Sequence, residues 1–283
     1  MRRSFVCRSS PAFSTATAGS CKASSAPPPL TLLQYSICPF CNKIKSVLDF
    51  LKVSYEVKEV NPLSKKELKE LSDILPLDEK KGKPYMKVPV VLVGTEKALV
   101  DSSRILAELL SVSPGGSGPG AVIPSPPGFY EEEDKEWERW VDQKLSVLLF
   151  PNITRSFSES FQAFSYVNKV PSFSFWDKMG SQWLGATAMW MAQGKLKKKY
   201  QIEDERGALM EALGTVTKAL GGEGKSGGVG FIKKGESPSF ADIAVYSSLR
   251  SIEGLETHKD VMEFGDGSLK EWYEKVAKAV GHR

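Results

Sequence analysis

A stretch rich in proline and glycine divides this chain of 283 residues into two unequal parts. Between Ser113 and Gly128, five Pro and five Gly occupy ten of 16 positions, a composition that forms neither helix nor sheet. We therefore predict a linker over 113–128, with one domain at 30–112 and a second at 129–283. The chain length suits two domains, and 41% hydrophobic residues are enough to form their cores.

The part before the linker alternates between strand and helix patterns. The predicted elements are a strand at 30–35, a helix from 42, a strand at 54–60, a helix at 64–75, a charged loop at 76–86, a proline-interrupted strand at 87–93, a strand at 98–100 and a helix from 101. This order predicts an α/β domain that begins with a strand, a helix and a second strand.

The part after the linker has helical patterns throughout, at 137–148, 178–199, 204–220, 240–252 and 268–280. All six Trp lie in this all-α part, and we interpret them as core residues. The apolar run Trp183–Ala192 is followed by lysines, and we predict a buried helix end with a solvated basic last turn. Peripheral contact of this helix with a membrane is the alternative. Ser239 and Asp242 follow a proline and predict a capping box.

The excess of positive charge lies in the first 29 residues. They hold four basic residues and no acidic one, whereas the remainder balances at 34 basic against 34 acidic residues. The balanced charge of residues 30–283 therefore does not support a basic surface for binding nucleic acid. The leader is rich in Ser, Thr and Ala, so we predict a transit peptide for a mitochondrion or plastid over 1–29; a disordered tail on a cytoplasmic protein is the alternative. No apolar run approaches the roughly 20 residues of a membrane span.

Histidine is scarce in this chain, with His258 and His282 as its only two copies. This nearly excludes metal sites built from several imidazoles and catalytic triads with a central His base. Four Cys are too few for a disulfide scaffold, which favours thiol chemistry in a reducing compartment. A zinc site would need a second pair of ligands, but the other two thiols, Cys7 and Cys21, lie in the leader. We therefore predict no metal.

The strongest chemical signal is the sequence Cys38-Pro39-Phe40-Cys41 between a strand and a helix. A thiol in the first turn of a helix lies near unpaired backbone N–H groups and the positive end of the helix dipole, which lower its pKa from about 8.5. We therefore predict Cys38 as the reactive sulfur and Cys41, one turn further in, as a resolving or supporting thiol. Pro39 suits the first helical position because its missing N–H costs nothing there. A purely structural pair of buried thiols is the alternative.

Two further features suggest a binding pocket for a small thiol peptide. A cis peptide at Val88-Pro89 would leave the Val88 backbone free to pair with an extended ligand, although a proline on an edge strand is the simpler reading. Asp101 supplies a carboxylate for an ammonium group, and the N–H and hydroxyl of Ser102 can hold a carboxylate, although a plain helix cap explains both. With the Cys pair, these features describe a pocket for glutathione.

These motifs resemble known proteins. The first part resembles glutaredoxins and the thioredoxin-like domain of glutathione transferases, and the helical part resembles the transferase C-terminal domain. More closely, the chain resembles the membrane-associated prostaglandin E synthase type 2 family over about 30–280. The residues that carry this resemblance are LLQYSICPFC at 32–41, LDF at 48–50, EVNP at 59–62, KVP at 87–89, DSS at 101–103, FADIAVY at 240–246, LR at 249–250 and EGL at 253–255.

The resemblance implies an isomerase that converts the endoperoxide of prostaglandin H2 into the hydroxyketone of prostaglandin E2. It implies the following site: Cys38 as the key thiol with Cys41 beside it, Tyr35 and Phe40 flanking it, Val88 and Pro89 binding glutathione through the backbone, and Asp101 and Ser102 holding its γ-glutamyl end. Haem is implied as a second cofactor, with a thiolate as its axial ligand. A homodimer is expected by analogy with the transferases.

Two features of this chain depart from the family pattern and limit which properties of the family we expect it to share. The segment 63–86 is longer than in the family, charged at 78–83, and lies beside the presumed glutathione site, where it could cover or reshape that site. The apolar N-terminal anchor of the family is replaced by the leader, so we do not expect membrane attachment from the resemblance.

Another lipid peroxide is an alternative substrate. A glutaredoxin-like thiol–disulfide oxidoreductase and a non-catalytic glutathione or haem carrier are the alternative functions.

Overall fold

A computed structural model describes residues 28–110, 123–221 and 229–281. Most of the predicted leader and 111–122 of the predicted linker lie outside these ranges. The described part before the linker contains β1 (Leu30–Gln34), α1 (Pro39–Phe50), β2 (Tyr55–Glu59), α2 (Lys66–Lys69), β3 (Leu77–Asp78), β4 (Lys83–Pro84), β5 (Val90–Val93), β6 (Lys97–Val100) and α3 (Ser102–Leu110).

Four strands of this part form one sheet in the order β2-β1-β5-β6. β1 runs parallel to β2, while β5 is antiparallel to both β1 and β6. The parallel pair requires the crossover that α1 supplies, and this places the start of α1 directly after the end of β1. Leu30 and Leu32 of β1 pack with Ile44 and Leu48 of α1, whereas Leu33 belongs to a smaller core with Leu68 of α2.

Two predictions for the segment between β2 and β5 were wrong. The helix predicted at 64–75 is a single turn at Lys66–Lys69, because Lys65 before it has a left-handed backbone, with φ of 51°, and the turns after it are held by shorter i to i+3 bonds. The segment predicted as a charged loop at 76–86 contains a small hairpin, in which Leu77 pairs with Pro84 and Asp78 with Lys83.

The part after the linker is helical. It contains α4 (Glu132–Trp140), a π-helical segment (Val141–Leu145), α5 (Ser146–Ile153), α6 (Phe157–Ala163), a 3-10 helix (Phe164–Lys169), α7 (Phe175–Tyr200), α8 (Glu205–Ala219), α9 (Phe240–Arg250), α10 (Glu256–Met262) and α11 (Ser268–Val280). The predicted capping box is present: Ser239 Oγ accepts from the Asp242 N–H, and the Asp242 carboxylate accepts from the Ser239 N–H at 2.9 Å.

The prediction that Trp183–Ala192 is buried was wrong. Trp183, Leu184 and Met191 are 52%, 62% and 69% exposed, and Trp190 is 42% exposed. A continuous apolar run covers every side of a helix, but α7 packs inward only through one face, which carries the small residues Gly185 and Ala186. Trp272, in contrast, is fully buried, as expected of a core Trp.

In the described ranges, no helix combines the length and apolarity that crossing a bilayer would require.

Buried ion pairs join the two parts of the chain. Lys43 of α1 is 1% exposed, and its Nζ lies 2.6 Å from Glu138 Oε1 of α4 and 2.7 Å from Asp142 Oδ2 of the π-helical segment. Arg250 of α9 lies 3.2 Å from Asp49 of α1. Since Cys38 directly precedes α1 and Cys41 lies in its first turn, these contacts fix the Cys pair relative to the helical part.

Candidate functional site

Cys38 is the residue before the first turn of α1, and its local geometry agrees with a helix-start thiol. Its backbone is extended, with φ of −85° and ψ of 119°, and Pro39 follows at the first helical position. The Cys38 N–H donates to the Tyr35 carbonyl at 2.9 Å, and the Cys38 carbonyl accepts from the Asn42 N–H at 3.0 Å. Cys38 is partly exposed, whereas Cys41 is completely buried.

Two polar side chains hold the loop before Cys38 in place. Asn42 Nδ2 donates to the carbonyls of Ser36 at 2.7 Å and Cys38 at 3.1 Å. The carboxylate of Glu59, at the end of β2, accepts from the Ser36 N–H at 2.6 Å, from the Ser36 hydroxyl at 3.0 Å and from Gln34 Nε2 at 3.1 Å. Burial raises the pKa of Glu59 although these hydrogen bonds oppose it. In the sequence, Glu59 ends a predicted strand and begins the EVNP motif at 59–62, and neither pattern indicates this contact with the loop before Cys38.

The two thiols differ in acidity. The Cys41 side chain hydrogen-bonds to the Cys38 sulfur, and together with the backbone N–H groups of Cys41 and Phe40 this holds the pKa of Cys38 below its ordinary value in spite of burial. Burial and the same contact with Cys38 raise the pKa of Cys41 well above its ordinary value. Cys38 is therefore the thiol that forms a thiolate first, and Cys41 remains a protonated donor.

Cys38 opens into a cavity of about 420 Å³ between the two parts of the chain. The α/β part contributes Tyr35, Ile37, Cys38, Pro39, Pro62, Leu63 and Lys65, and the helical part contributes Ser146, Leu149, Phe150, Ile153, Phe164, Tyr166, Gly185, Ala188, Met189, Ser251 and Ile252. Most of these side chains are apolar. The cavity thus suits an apolar ligand with a reactive group that reaches the thiol.

Two phenols face this cavity, one from each part of the chain. Burial raises the pKa of Tyr35 to about 12, and nearby Cys41 and Cys38 add to the shift. Burial also raises the pKa of Tyr166, with smaller contributions from Glu59, Tyr35 and Cys38. Both phenols therefore remain protonated near neutral pH and can donate a proton or a hydrogen bond. Tyr166 lies in the 3-10 helix, far from any motif in the sequence, so no sequence pattern predicted its role.

The structure brings only part of the predicted site into this cavity. Tyr35 and Cys38 line it, whereas Phe40 and Cys41 are not among its lining residues. The four residues predicted to bind glutathione, Val88, Pro89, Asp101 and Ser102, also lie outside its walls. In the described ranges, no group of three or more His, Cys, Asp or Glu side chains is placed to hold a metal ion.

The predicted glutathione residues form a second location at the start of β5 and α3. The Val88–Pro89 peptide is cis. Asp101 has a left-handed backbone with φ of 70°, its Oδ1 accepts from the Arg104 N–H at 3.3 Å, and Ser102 is 6% exposed. The Asp101 side chain therefore caps α3, as the simpler reading of the sequence expected.

The β3–β4 hairpin lies beside these residues. Glu79 on the hairpin pairs with Arg104 of α3 at 3.2 Å, and Asp78 lies 3.6 Å from Lys87. The pKa of Tyr85, just after the hairpin, is raised by burial and by its nearness to Asp101, Asp78 and the two thiols. The long segment 63–86 thus approaches both the start of α3 and the Cys pair.

This fold is that of the glutathione transferases, a thioredoxin-like α/β domain followed by an all-α domain, as predicted. Residues 32–117 match the family described as glutathione S-transferase, N-terminal domain. A glutathione transferase of Phanerochaete chrysosporium superposes with a TM-score of 0.61 at 19% identity, covering 90% of this chain and 98% of its own. A glutathione S-transferase of Ceriporiopsis subvermispora, solved in complex with glutathione, has a TM-score of 0.55 at 14% identity and covers 88% of this chain and 97% of its own.

The similarity in sequence is more specific than the similarity in fold. The chain is 28% identical over 289 residues to prostaglandin E synthase 2 of Danio rerio, which covers 89% of this chain and 71% of the relative. The resemblance to the prostaglandin E synthase type 2 family, predicted from the motifs, is confirmed.

Proposed function

We propose that this protein is a glutathione-binding enzyme that isomerises a lipid endoperoxide of the prostaglandin type, with Cys38 as the nucleophile. The observation that carries the proposal is the placement of an acidified thiol at the wall of a largely apolar cavity of about 420 Å³. An apolar cavity binds the hydrocarbon part of a lipid, and the weak O–O bond of an endoperoxide is the group that a thiolate attacks.

The reaction needs only a nucleophile, a proton donor and a proton acceptor. The Cys38 thiolate forms an S–O bond with one peroxide oxygen, the O–O bond breaks, and the second oxygen takes a proton from a phenol, for which Tyr166 and Tyr35 are the two candidates. The ring C–H beside the sulfur-bound oxygen then loses its proton to the phenolate, a C=O bond forms, and the O–S bond breaks to return the thiolate. The net change is an isomerisation without an external oxidant or reductant.

Glutathione is the proposed second ligand, since the Ceriporiopsis subvermispora transferase of similar fold was solved with it. The Val88 backbone next to Pro89 would pair with the peptide, Asp101 would hold its ammonium group, and Ser102 its carboxylate. A carboxylate that caps a helix through one oxygen can still accept an ammonium group through the other. Haem, the other implied cofactor, has no support from the solved relatives, and the proposal does not use it.

Thiol–disulfide exchange is the second candidate function. It is favoured by the position of Cys41, because a second thiol three residues after Cys38 in the same helix, which lowers the pKa of Cys38, is suited to act as a resolving thiol. In this reaction Cys38 attacks a mixed disulfide of glutathione, which releases the product thiol and leaves glutathione joined to Cys38 by a disulfide bond. A second glutathione then removes it as glutathione disulfide, or Cys41 displaces it as glutathione and forms a disulfide with Cys38. The buried position of Cys41 and its raised pKa favour release by glutathione.

Two assays on the full chain separate these functions. We expect prostaglandin H2 isomerisation to be lost in Cys38→Ser and retained in Cys41→Ser. Glutathione-dependent reduction of a small disulfide as the main activity of the wild type, with isomerisation near background, would favour the oxidoreductase. Tight glutathione binding with neither activity would favour a non-catalytic carrier.

A further inference from the structure

Two serines interrupt the apolar wall of the cavity at Cys38. Ser146, the first residue of α5, and Ser251, directly after α9, both line this cavity, and they are 7% and 5% exposed. A hydroxyl that is withdrawn from water into an apolar wall costs free energy unless it finds a hydrogen-bond partner. The partners of these two hydroxyls therefore indicate what the wall can offer to a ligand.

Both serines are joined to Ser248 of α9, which is buried and is not among the residues that line the cavity. Ser146 Oγ lies 3.0 Å from Ser248 Oγ, and either atom can be the donor. Ser251 Oγ donates to the Ser248 carbonyl at 2.6 Å. The three side chains thus form one connected group, with Ser248 behind the wall and the other two serines at the cavity.

The hydrogen bond between Ser146 and Ser248 uses only one of the two hydroxyl hydrogens. In the described ranges neither hydroxyl has a further partner, so one hydrogen lacks an acceptor within the protein. If Ser146 donated to Ser248, this hydrogen would belong to Ser248 and stay buried behind the wall, at the cost of an unmade hydrogen bond. Donation from Ser248 to Ser146 avoids this cost, because it leaves the Ser146 hydrogen available to a ligand in the cavity.

Ser251 offers the opposite property to a ligand. Its one hydroxyl hydrogen is donated to the Ser248 carbonyl, so its oxygen can act toward a ligand only as an acceptor. The cavity wall therefore presents a donor at Ser146 and an acceptor at Ser251. A ligand hydroxyl satisfies both, because it accepts one hydrogen bond and donates another, whereas a ketone or ether oxygen satisfies only the donor.

We propose that Ser146 and Ser251 form a subsite that recognises a hydroxyl group on the otherwise apolar chain of the ligand in the Cys38 cavity. The inference rests on the proposed function for the kind of ligand, a lipid, but not on the reaction at Cys38. The two serines determine specificity and take no part in making or breaking bonds. A hydroxylated lipid should therefore bind more tightly than the same chain without the hydroxyl.

Protection of Cys38 from alkylation measures binding in this cavity without turnover. The full chain is treated with iodoacetamide in the presence of octadecanoic acid, of its monohydroxy derivatives with the hydroxyl at successive carbons, or of the corresponding keto acids. Mass spectrometry follows the peptide that contains Cys38, and the ligand concentration that halves its alkylation rate gives the apparent Kd. We expect at least one hydroxy acid to bind about fivefold more tightly than the parent acid and than the keto acid of the same carbon.

Ser146→Ala and Ser251→Ala should each bring the affinity of that hydroxy acid close to the affinity of the parent acid. Binding of the parent acid should be unchanged or slightly tighter, because the cavity becomes more apolar, whereas a merely structural role would weaken both ligands equally. Ser247→Ala is the matched control, since Ser247 is buried in α9 and donates to the Ala244 carbonyl at 2.8 Å but does not line the cavity. It should keep the preference of the wild type.

The proposal is overturned if no hydroxy acid binds more tightly than the parent acid, or if the preference persists in both serine variants. A keto acid that binds as tightly as the best hydroxy acid would also overturn it, because Ser251 would then not act as an acceptor. A clear hydroxyl preference in a wild type that does not isomerise prostaglandin H2 would support the subsite and count against the proposed reaction alone.

Discussion

The partly exposed thiol of Cys38 lies three residues before the completely buried thiol of Cys41, at the start of the same helix. The interaction between the two thiols stabilises the Cys38 thiolate and disfavours ionisation of Cys41, so the pKa of one thiol falls while that of the other rises. Cys38 therefore acts as the reactive sulfur, and the protonated thiol of Cys41 stabilises its thiolate.

Removal of the internal donor should make Cys38 less acidic. In Cys41→Ala, the thiolate of Cys38 loses its largest stabilising contact, so the pKa of Cys38 should rise. The rate of alkylation by iodoacetamide measured against pH reports this pKa, and its inflection should move to higher pH than in the wild type. An inflection that stays in place or moves to lower pH would show that Cys41 does not stabilise the thiolate.

Removal of the nearby negative charge should have the opposite effect. Glu59 disfavours the Cys38 thiolate electrostatically, so Glu59→Gln should lower the pKa of Cys38 and move the alkylation inflection to lower pH. Glu67→Gln is the control, because the Glu67 carboxylate accepts from the Asn61 N–H instead of the loop before Cys38. Equal shifts in both variants would argue against a specific effect of Glu59.

Tyr166 should matter for turnover more than for binding. If its phenol donates the proton to the departing oxygen, Tyr166→Phe should lower kcat for prostaglandin H2 isomerisation by about 100-fold, while KM changes little. The Cys38 alkylation inflection should shift only slightly, because Tyr166 is not among the groups that set the pKa of that thiol. Tyr200→Phe, which alters an exposed phenol, is the matched control. A normal kcat in Tyr166→Phe would assign the proton to Tyr35 or to water.

The buried cluster around Lys43 should be important for stability. Lys43→Met leaves the buried Glu138 and the half-buried Asp142 without their cation, and loss of one partner of a buried pair costs about 3 to 5 kcal/mol of unfolding free energy. Urea unfolding measures this loss. Lys97→Met breaks a solvent-exposed pair with Glu108 and should change stability little. Equal stability of the two variants would mean that the buried cluster does not tie α1 to α4.

The sequence predicted the parts of the site that depend on local patterns. A strand, a Cys-Pro-Phe-Cys motif and an amphipathic run were enough to predict a helix-start thiol at Cys38, and the prolines indicated the unusual peptide at Val88–Pro89. The pattern at Ser239 and Asp242 predicted the capping box for the same reason, since its hydrogen bonds join residues three apart.

Features that depend on tertiary packing could not be predicted in this way. Tyr166 lies in the 3-10 helix and lines the cavity with Cys38, which is 128 residues earlier in the chain, so no local sequence pattern could indicate that the two meet. The exposure of Trp183 and Trp190 was mispredicted because hydrophobicity identifies an apolar helix but not which of its faces finds a partner within the chain.

The pH dependence of kcat/KM for prostaglandin H2 isomerisation by the full chain at saturating glutathione tests directly whether Cys38 is the nucleophile. We expect kcat/KM to rise with pH through the inflection measured for Cys38 alkylation, and Cys38→Ser to have no activity above background at any pH. Isomerisation by Cys38→Ser with an unchanged pH profile would contradict it.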